Sequence, residues 1–138
     1  MRKTAAGTCI LETKASRRVR SYRDLVVWQK AMELCSLTYR ATARFPGEER
    51  FGLVSQMRRA AVSIPSNIAE GFGRLTTKDY QHFLATARGS ARELETQILI
   101  ASDLGYLSRV EAEACESLTT EVSRMLTAII SSLSRKLR

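Results

Sequence analysis

Residues 54–71 read VSQMRRAAVSIPSNIAEG, and they predict one amphipathic helix that continues through a proline. Apolar residues recur every three or four positions, which is the spacing of one helix face; they are Val54, Met57, Ala61, Ile64 and Ile68. Pro65 removes a backbone donor and crowds the carbonyl of Ala61, at a cost of about 3 kcal/mol in an isolated helix. Because the apolar face continues on both sides of Pro65, we predict a kink there and not the end of the helix.

A polar stripe runs beside this apolar face, made of Gln56, Arg59, Ser63, Asn67 and Glu70. A later predicted helix has a similar stripe, made of His82, Thr86, Gly89 or Ser90, Glu93 and Gln97. Gly89 costs about 1 kcal/mol inside a helix, so we predict that another backbone or side chain approaches closely there. A solvated face is one interpretation of both stripes. The other is a polar contact between the two helices or between subunits.

On the second interpretation, the stripe residues make oligomer contacts or polar contacts between helices. The candidates are Arg59, Ser63, Pro65, Asn67, Glu70, Gly89, Ser90 and Glu93. Polar side chains of these stripes would then bond with the arginines Arg58, Arg59 or Arg92. Such a network specifies geometry more than it adds stability.

Three further segments with helical periodicity accompany the quoted one. The predicted helices span about 22–44, 48–70, 77–104 and 109–136. Their apolar stripes are Leu25, Trp28, Met32, Cys35 and Tyr39 in the first; Tyr80, Leu84, Ala87, Ala91, Leu94, Ile98 and Ala101 in the third; and Cys115, Leu118, Val122, Met125, Ile129 and Leu133 in the fourth.

Capping motifs and glycines mark the ends of these helices. The capping pairs are Ser21 with Asp24, Thr76 with Asp79, and Ser108 with Glu111. Glycines in residues 71–73 are predicted to end the second helix with a left-handed cap, and Gly105 ends the third. Connections this short place consecutive helices side by side and antiparallel. The predicted fold is all-α, an antiparallel up-down-up-down four-helix bundle over residues 22–138.

Positive charge is concentrated before the first helix. The chain of 138 residues has a net charge of +8, and residues 1–23 hold seven basic groups and one acidic group, or +6. We predict that residues 1–21 form a basic, flexible extension. It either attracts polyanions such as nucleic acid or serves only as a disordered, solubilising segment. The candidate nucleic-acid contacts are Arg17, Arg18, Arg20, Arg23, Arg58, Arg74, Arg88 and Arg92.

No catalytic, metal or cofactor signature appears in the sequence. His82 is the only histidine, no C-x-x-C pair exists, and no glycine-rich phosphate loop is present. The three cysteines, Cys9, Cys35 and Cys115, are widely spaced. Cys35 and Cys115 fall on apolar helical stripes and are expected to be buried thiols in a reducing cytosol. No apolar run approaches the roughly 18 residues of a membrane span. We therefore expect a cytoplasmic, non-enzymatic protein with no cofactor, membrane or small-molecule partner.

Several segments resemble one bacterial family. They are Gly52–Gly71, Leu25–Trp28 before Ala31, Phe45-Pro46 before Glu49, Gly89-Ser90-x-x-Glu93-Leu94-Glu95, and Leu104–Leu107. The family is the four-helix-bundle proteins related to the 23S rRNA intervening-sequence proteins. The chain is also similar to the accessory variability protein of diversity-generating retroelements. The resemblance covers about Tyr22–Leu133 and excludes residues 1–21.

This resemblance implies a helical bundle that assembles as a ring, commonly a homopentamer. In the retroelement branch it also implies binding of a reverse transcriptase and nucleic acid. The leading hypothesis is therefore a homo-oligomeric accessory protein that binds nucleic acid or protein. The alternative is a purely structural oligomer that contacts other proteins and binds no nucleic acid. The nearly balanced charge of residues 24–138, only +2, favours the N-terminal extension over the bundle as the nucleic-acid site.

Overall fold

Four α-helices account for most of residues 18–137, the part of the chain that the computed structural model describes. They are α1 (Val26–Thr42), α2 (Leu53–Phe72), α3 (Thr77–Asp103) and α4 (Arg109–Lys136). Short 3-10 turns, Tyr22–Asp24 and Gly47–Glu49, precede α1 and α2. No strand occurs in the described residues, so the predicted all-α fold is confirmed. Residues 1–17 of the predicted flexible extension lie outside the described part of the chain.

Two ion pairs show that α1 and α4 run in opposite directions. Lys30, near the start of α1, lies 3.7 Å from Glu121 near the middle of α4. Arg44, just beyond the end of α1, pairs with Glu111 in the first turn of α4. Short connections also make α2 antiparallel to α3, and α3 antiparallel to α4. The four helices thus form the predicted up-down-up-down bundle.

The ends of α3 and α4 agree with the local sequence signals. Thr76 accepts a hydrogen bond from the backbone N–H of Asp79 at 3.1 Å. Ser108 and Glu111 form a complete capping box, with hydrogen bonds of 3.1 and 3.0 Å. Gly105 has a φ of 77°, the left-handed conformation that ends α3. These predicted ends are confirmed.

The start of α1 differs from the prediction. The capping box of Ser21 and Asp24 is present, but it caps a 3-10 turn. Leu25 then has an extended backbone, with ψ of 123°, so α1 begins only at Val26. Ser21, which was expected to cap the long helix, instead caps a separate 3-10 turn.

The buried face of α1 also differs from the predicted stripe. Met32 and Tyr39 are each 42% exposed, and the buried residues are Val27, Ala31, Leu34, Thr38, Ala41 and Thr42. Burial of the threonines is possible because their hydroxyls donate to carbonyl oxygens one turn earlier. The Oγ1–O distances are 2.8 Å from Thr38 to Leu34 and 2.7 Å from Thr42 to Thr38. The predicted stripe was wrong because a second set of residues at the same helical spacing, Val27, Ala31, Leu34 and Thr38, faces the core.

The helix of the quoted stretch continues without a break through Pro65, as predicted. It begins later and ends later than expected, at Leu53 and Phe72. Gly73 follows with a right-handed φ of −82°, so the predicted left-handed glycine cap is wrong here. Before the helix, Glu49 accepts hydrogen bonds from the N–H of Leu53 (3.1 Å) and from another side chain.

That second donor is the hydroxyl of Tyr106, which lies 3.0 Å from Oε2 of Glu49. The ring of Tyr106 also packs against Phe45, with centroids 5.3 Å apart. The hydrogen bond to Glu49, followed by desolvation, raises the pKa of Tyr106. These contacts join the connection between α1 and α2 to the connection between α3 and α4.

The centre of the core follows the predicted stripe of α3. Leu84, Ala87, Ala91, Leu94, Ile98 and Ala101 are fully buried, and Tyr80 is partly buried. In α4, Cys115 and Val122 are buried as predicted. The buried face of α4 also includes Thr119 and Leu126. The predicted residues Leu118, Met125, Ile129 and Leu133 are only partly buried.

The close approach predicted at Gly89 occurs at a different glycine. Gly89 is exposed, and a Cβ built there would meet no atom within 4 Å in the described chain. A Cβ at Gly71 would lie 2.6 Å from Cβ of Phe83 and 3.2 Å from Cδ1 of Tyr80. Gly71 therefore allows α2 to pack closely on α3. Within a single chain, the predicted close contact at Gly89 is therefore wrong.

The two cysteines that the structure describes are in different environments. Cys115 is 1% exposed, as expected, whereas Cys35 is only partly buried. Desolvation raises the pKa of both thiols, and the charge of Glu116 also raises that of Cys115. Both thiols are therefore weakly nucleophilic at neutral pH. Cys9 lies outside the described residues.

Candidate interaction surfaces

A polar contact joins α2 to α3 in the middle of the bundle. The hydroxyls of Ser63 and Ser90 lie 2.8 Å apart and share a hydrogen bond between the two helices. Nδ2 of Asn67 donates to the carbonyl oxygen (2.8 Å) and to the hydroxyl (2.9 Å) of Ser63. The three side chains are partly buried. The structure thus brings three of the predicted residues together, with Ser63 at the centre.

In residues 18–137, none of the three arginines expected to join this contact bonds to its side chains. Nε of Arg58 donates to Thr42 at 2.9 Å, and its guanidinium lies 4.5 Å from the ring centroid of Tyr39. Arg58 therefore links α2 to α1. Glu70 pairs with Arg74 on the following loop, at 3.5 Å. The predicted arginine network between α2 and α3 is wrong.

The remaining charged side chains of the two stripes line an open cleft of about 520 Å³ beside the serine pair. Arg59 and Glu93 bring opposite charges to its walls, and Glu93 accepts a hydrogen bond of 3.5 Å from Gln97. Oε1 of the buried Gln97 has no partner in residues 18–137. Within the same residues, no group of three or more His, Cys, Asp or Glu side chains is placed to hold a metal ion.

A groove with an aromatic rim lies between the end of α1 and the first half of α2. We call it the aromatic groove, and it is lined by Tyr39, Arg50, Phe51, Val54, Ser55, Arg58, Arg59, Val62 and Ser63, with a volume of about 630 Å³. Phe51 is 88% exposed, and the guanidinium of Arg50 lies 5.3 Å from its ring centroid. Tyr39 and Val62 add further exposed apolar surface. Clustered exposed apolar side chains of this kind are typical of protein contacts.

The net positive charge of the bundle lies at one end. The start of α1, the end of α2, the start of α3 and the end of α4 meet there. Gln81 of α3 donates to the hydroxyl of Ser134 in α4 at 2.7 Å. The rings of Phe72 and Tyr80 lie 6.1 Å apart, and the 3-10 turn before α1 packs against α2. We call residues 18–24, 70–82 and 131–137 the basic end.

Seven basic and three acidic residues belong to the basic end. They are Arg18, Arg20, Arg23, Arg74, Lys78, Arg135 and Lys136, with Asp24, Glu70 and Asp79. The other described residues hold ten basic and ten acidic side chains, so their net charge is zero. Residues 1–17 join this end through Arg18, and Arg138 follows it. The net charge of +8 therefore belongs to this end and the segments attached to it.

The eight predicted nucleic-acid residues fall into separate groups. Arg18, Arg20, Arg23 and Arg74 belong to the basic end. Three others are on the body of the bundle, in contact with neighbouring side chains: Arg58 with Thr42, Arg88 with Thr127 at 3.4 Å, and Arg92 with Glu95 at 4.0 Å. Arg17 lies outside the described residues. Lys78 was not predicted, because only the folded arrangement brings the start of α3 to the same end of the bundle as the start of α1.

An antiparallel four-helix bundle with an uneven charge distribution defines the structural class of this protein. None of the helices within residues 18–137 has the length and apolarity needed to cross a bilayer. A family model described as 23S rRNA-intervening sequence protein matches residues 23–128. The chain belongs to the 23S rRNA-intervening sequence protein family, which confirms the resemblance to these proteins.

A solved structure agrees with this assignment. It is the crystal structure of a protein with unknown function from the S23 ribosomal protein family of Bacteroides thetaiotaomicron VPI-5482. The two chains are 25% identical, with a TM-score of 0.70, over 76% of this chain and 98% of the other. A search of the curated proteins found no match. The similarity to the accessory protein of retroelements stays a prediction.

Proposed function

We propose that this chain is a non-enzymatic, homo-oligomeric accessory protein that binds nucleic acid through its basic end. The observation that supports this is that the net charge of the described residues, +4 from seven basic and three acidic groups, lies at one end of a bundle whose body is neutral. Lysine and arginine side chains displace the counterions of nucleic-acid phosphates, which drives binding that depends little on sequence. The basic end presents several such side chains at the ends of four helices, and the basic residues 1–17 precede it in the sequence.

Oligomerisation strengthens this kind of binding. Each added copy brings another basic end, so several weak contacts act on one nucleic acid. Linked sites of this kind raise the apparent affinity by about 10²-fold or more without any new contact. The number of subunits that we propose, five, comes from the family resemblance. A non-enzymatic role agrees with the raised thiol pKa values of Cys35 and Cys115, which leave little thiolate for nucleophilic chemistry.

The oligomer is tested by light scattering of the full-length protein at micromolar concentration. We expect a mass several times that of the 15.5 kDa chain. The expected cause is the exposed apolar surface of the aromatic groove, which a second protein surface would remove from water. A single species with the mass of one chain, unchanged on concentration, would contradict homo-oligomerisation.

Nucleic-acid binding is tested by a gel-shift salt series on a short DNA duplex and a single-stranded RNA. We compare the full-length protein, a chain that starts at Ser21, and the double variant Arg74→Gln/Lys78→Gln. Removal of one side chain that binds a duplex phosphate should reduce the slope of log affinity against log salt by about 0.9. We expect weaker binding and a shallower slope for the shortened chain and, to a lesser degree, for the double variant.

The matched control is Arg40→Gln/Arg109→Gln, which removes the same charge from exposed positions outside the basic end. We expect its salt slope to equal that of the wild type. A control that weakens binding as much as Arg74→Gln/Lys78→Gln would mean that only total charge matters. Equal affinity of the shortened and full-length chains would exclude residues 1–20 from the site. If Arg74→Gln/Lys78→Gln also bound as well as the wild type, binding at the basic end would be contradicted.

A second candidate function is a structural oligomer whose partner is another protein. The aromatic groove favours it, because Phe51 and Val62 expose apolar surface that a nucleic-acid backbone does not need. Absence of binding to both nucleic acids at low salt would favour this function. The family resemblance makes a protein similar to a reverse transcriptase the partner to test first.

A further inference from the structure

The outer face of α4 differs in charge from the aromatic groove. We call it the acidic face, and it is lined by Glu113, Glu116, Ser117, Thr120, Glu121, Arg124 and Met125 around a shallow concavity of about 720 Å³. Three carboxylates and one guanidinium give it a negative charge. The partly buried Met125 provides an apolar edge beside them. The acidic face therefore combines negative charge with a small apolar contact area.

The aromatic groove has the opposite character. Arg50 and Arg59 are at its rim, and neither forms an ion pair within the described chain. Arg58 supplies a third positive charge, held in place by its contacts with Thr42 and Tyr39. Because Arg58 is already oriented, less side-chain entropy is lost when a partner binds beside it.

Of the three carboxylates of the acidic face, Glu121 pairs with Lys30 of α1 at 3.7 Å, and in the part of the chain that the structure describes the other two are free or only weakly paired. Glu116 forms no ion pair within residues 18–137, and Glu113 pairs only with Arg109 one turn away, at 3.6 Å with both side chains exposed. Exposed pairs of this kind contribute little energy. By contrast, Glu111 is held by Arg44, and Glu49 accepts from Tyr106. The acidic face thus offers carboxylates that other side chains of the same copy hold only weakly.

We propose that the aromatic groove of one copy receives the acidic face of α4 of a second copy. In this contact Phe51 packs on the apolar edge at Met125, and Arg59 lies against Glu116. The inference rests on the homo-oligomer part of the proposed function and does not depend on nucleic-acid binding. The two surfaces lie on different parts of the bundle. When two copies bind in this way, one copy still has an unoccupied acidic face and the other an unoccupied groove, so further copies can add. A contact between unlike surfaces builds rings or filaments and does not stop at a dimer.

The test is a charge exchange across the proposed contact, read by light scattering over a dilution series. Arg59→Glu and Glu116→Arg, each alone, place like charges together and should weaken assembly by about tenfold or more. The double variant Arg59→Glu/Glu116→Arg restores opposite charges in every contact, so assembly should return towards the wild-type level. Circular dichroism of each variant checks that the helices are retained. The matched control is Arg92→Glu on α3, which should leave assembly unchanged.

Phe51→Ser tests the apolar part of the contact. Because Phe51 is 88% exposed in the single chain, its replacement should not unfold the bundle, but it should weaken assembly by about tenfold or more. If the wild type assembles and both single charge variants and Phe51→Ser do so equally well, the proposed pair of faces is overturned while the oligomer stands. If the double variant assembles no better than the single ones, the pairing of Arg59 with Glu116 is overturned. A monomeric wild type overturns the oligomer itself.

Discussion

Replacement of Gly71 by leucine is expected to destabilise the bundle by about 3 kcal/mol. A Cβ at this position would lie 2.6 Å from Cβ of Phe83, which is closer than two non-bonded carbon atoms can approach. Because Phe83 belongs to the facing helix, α2 and α3 would have to move apart along a contact that includes the pair of Ser63 and Ser90. The measurement is the midpoint of urea unfolding at a single protein concentration, since assembly also affects apparent stability.

Gly89→Ala is the matched control, and its effect should have the opposite sign. Gly89 is exposed inside α3, and a Cβ there meets nothing within 4 Å in the described chain. The substitution should therefore stabilise the helix by up to about 1 kcal/mol. Equal destabilisation by Gly71→Leu and Gly89→Ala would contradict the packing of α2 on α3. Weaker assembly with raised helix stability in the Gly89 variant would instead place that residue at a subunit contact.

Leu94→Ala is expected to cost about 2–5 kcal/mol, because it opens a cavity in the middle of the core. Leu94 is fully buried on the continuous apolar stripe of α3. Total stabilities of single domains are about 5–15 kcal/mol, so this variant should unfold at a much lower urea concentration. The control is Leu99→Ala on the same helix, where the side chain is 50% exposed and the change should be within about 0.5 kcal/mol. Similar midpoints for the two variants would show that Leu94 does not anchor the core.

Several features of the fold could be predicted because they depend on neighbouring residues. The capping box at Ser108 and the left-handed turn at Gly105 involve backbone groups within a few positions. The stripe of α3 was also predicted correctly, since α3 packs between α2 and α4 and buries its most apolar face. The passage of α2 through Pro65 followed from apolar spacing on both sides of the proline.

The polar contacts between helices were harder to predict. Periodicity placed Ser63, Asn67 and Ser90 on stripes that turned out to meet. Arg58 was one of three arginines expected to bond with these stripes, but its side chain reaches Thr42 of α1. A long side chain can reach either neighbouring helix, and the rotation of each helix about its axis decides which one it meets. That rotation depends on packing over the whole bundle.

Local periodicity and capping were sufficient to define four helices, their antiparallel order and the core face of α3. Packing of the whole bundle determined the buried face of α1, in which Ala31 and Thr38 are buried whereas Met32 and Tyr39 are exposed. It also decided that Gly71, and not Gly89, lies where two helices come closest. These features share one cause. The fit between helices and the net charge of one end of the bundle both depend on residues that are distant in the sequence. Only their arrangement in space brings Arg23, Arg74 and Lys136 to the same end of the molecule.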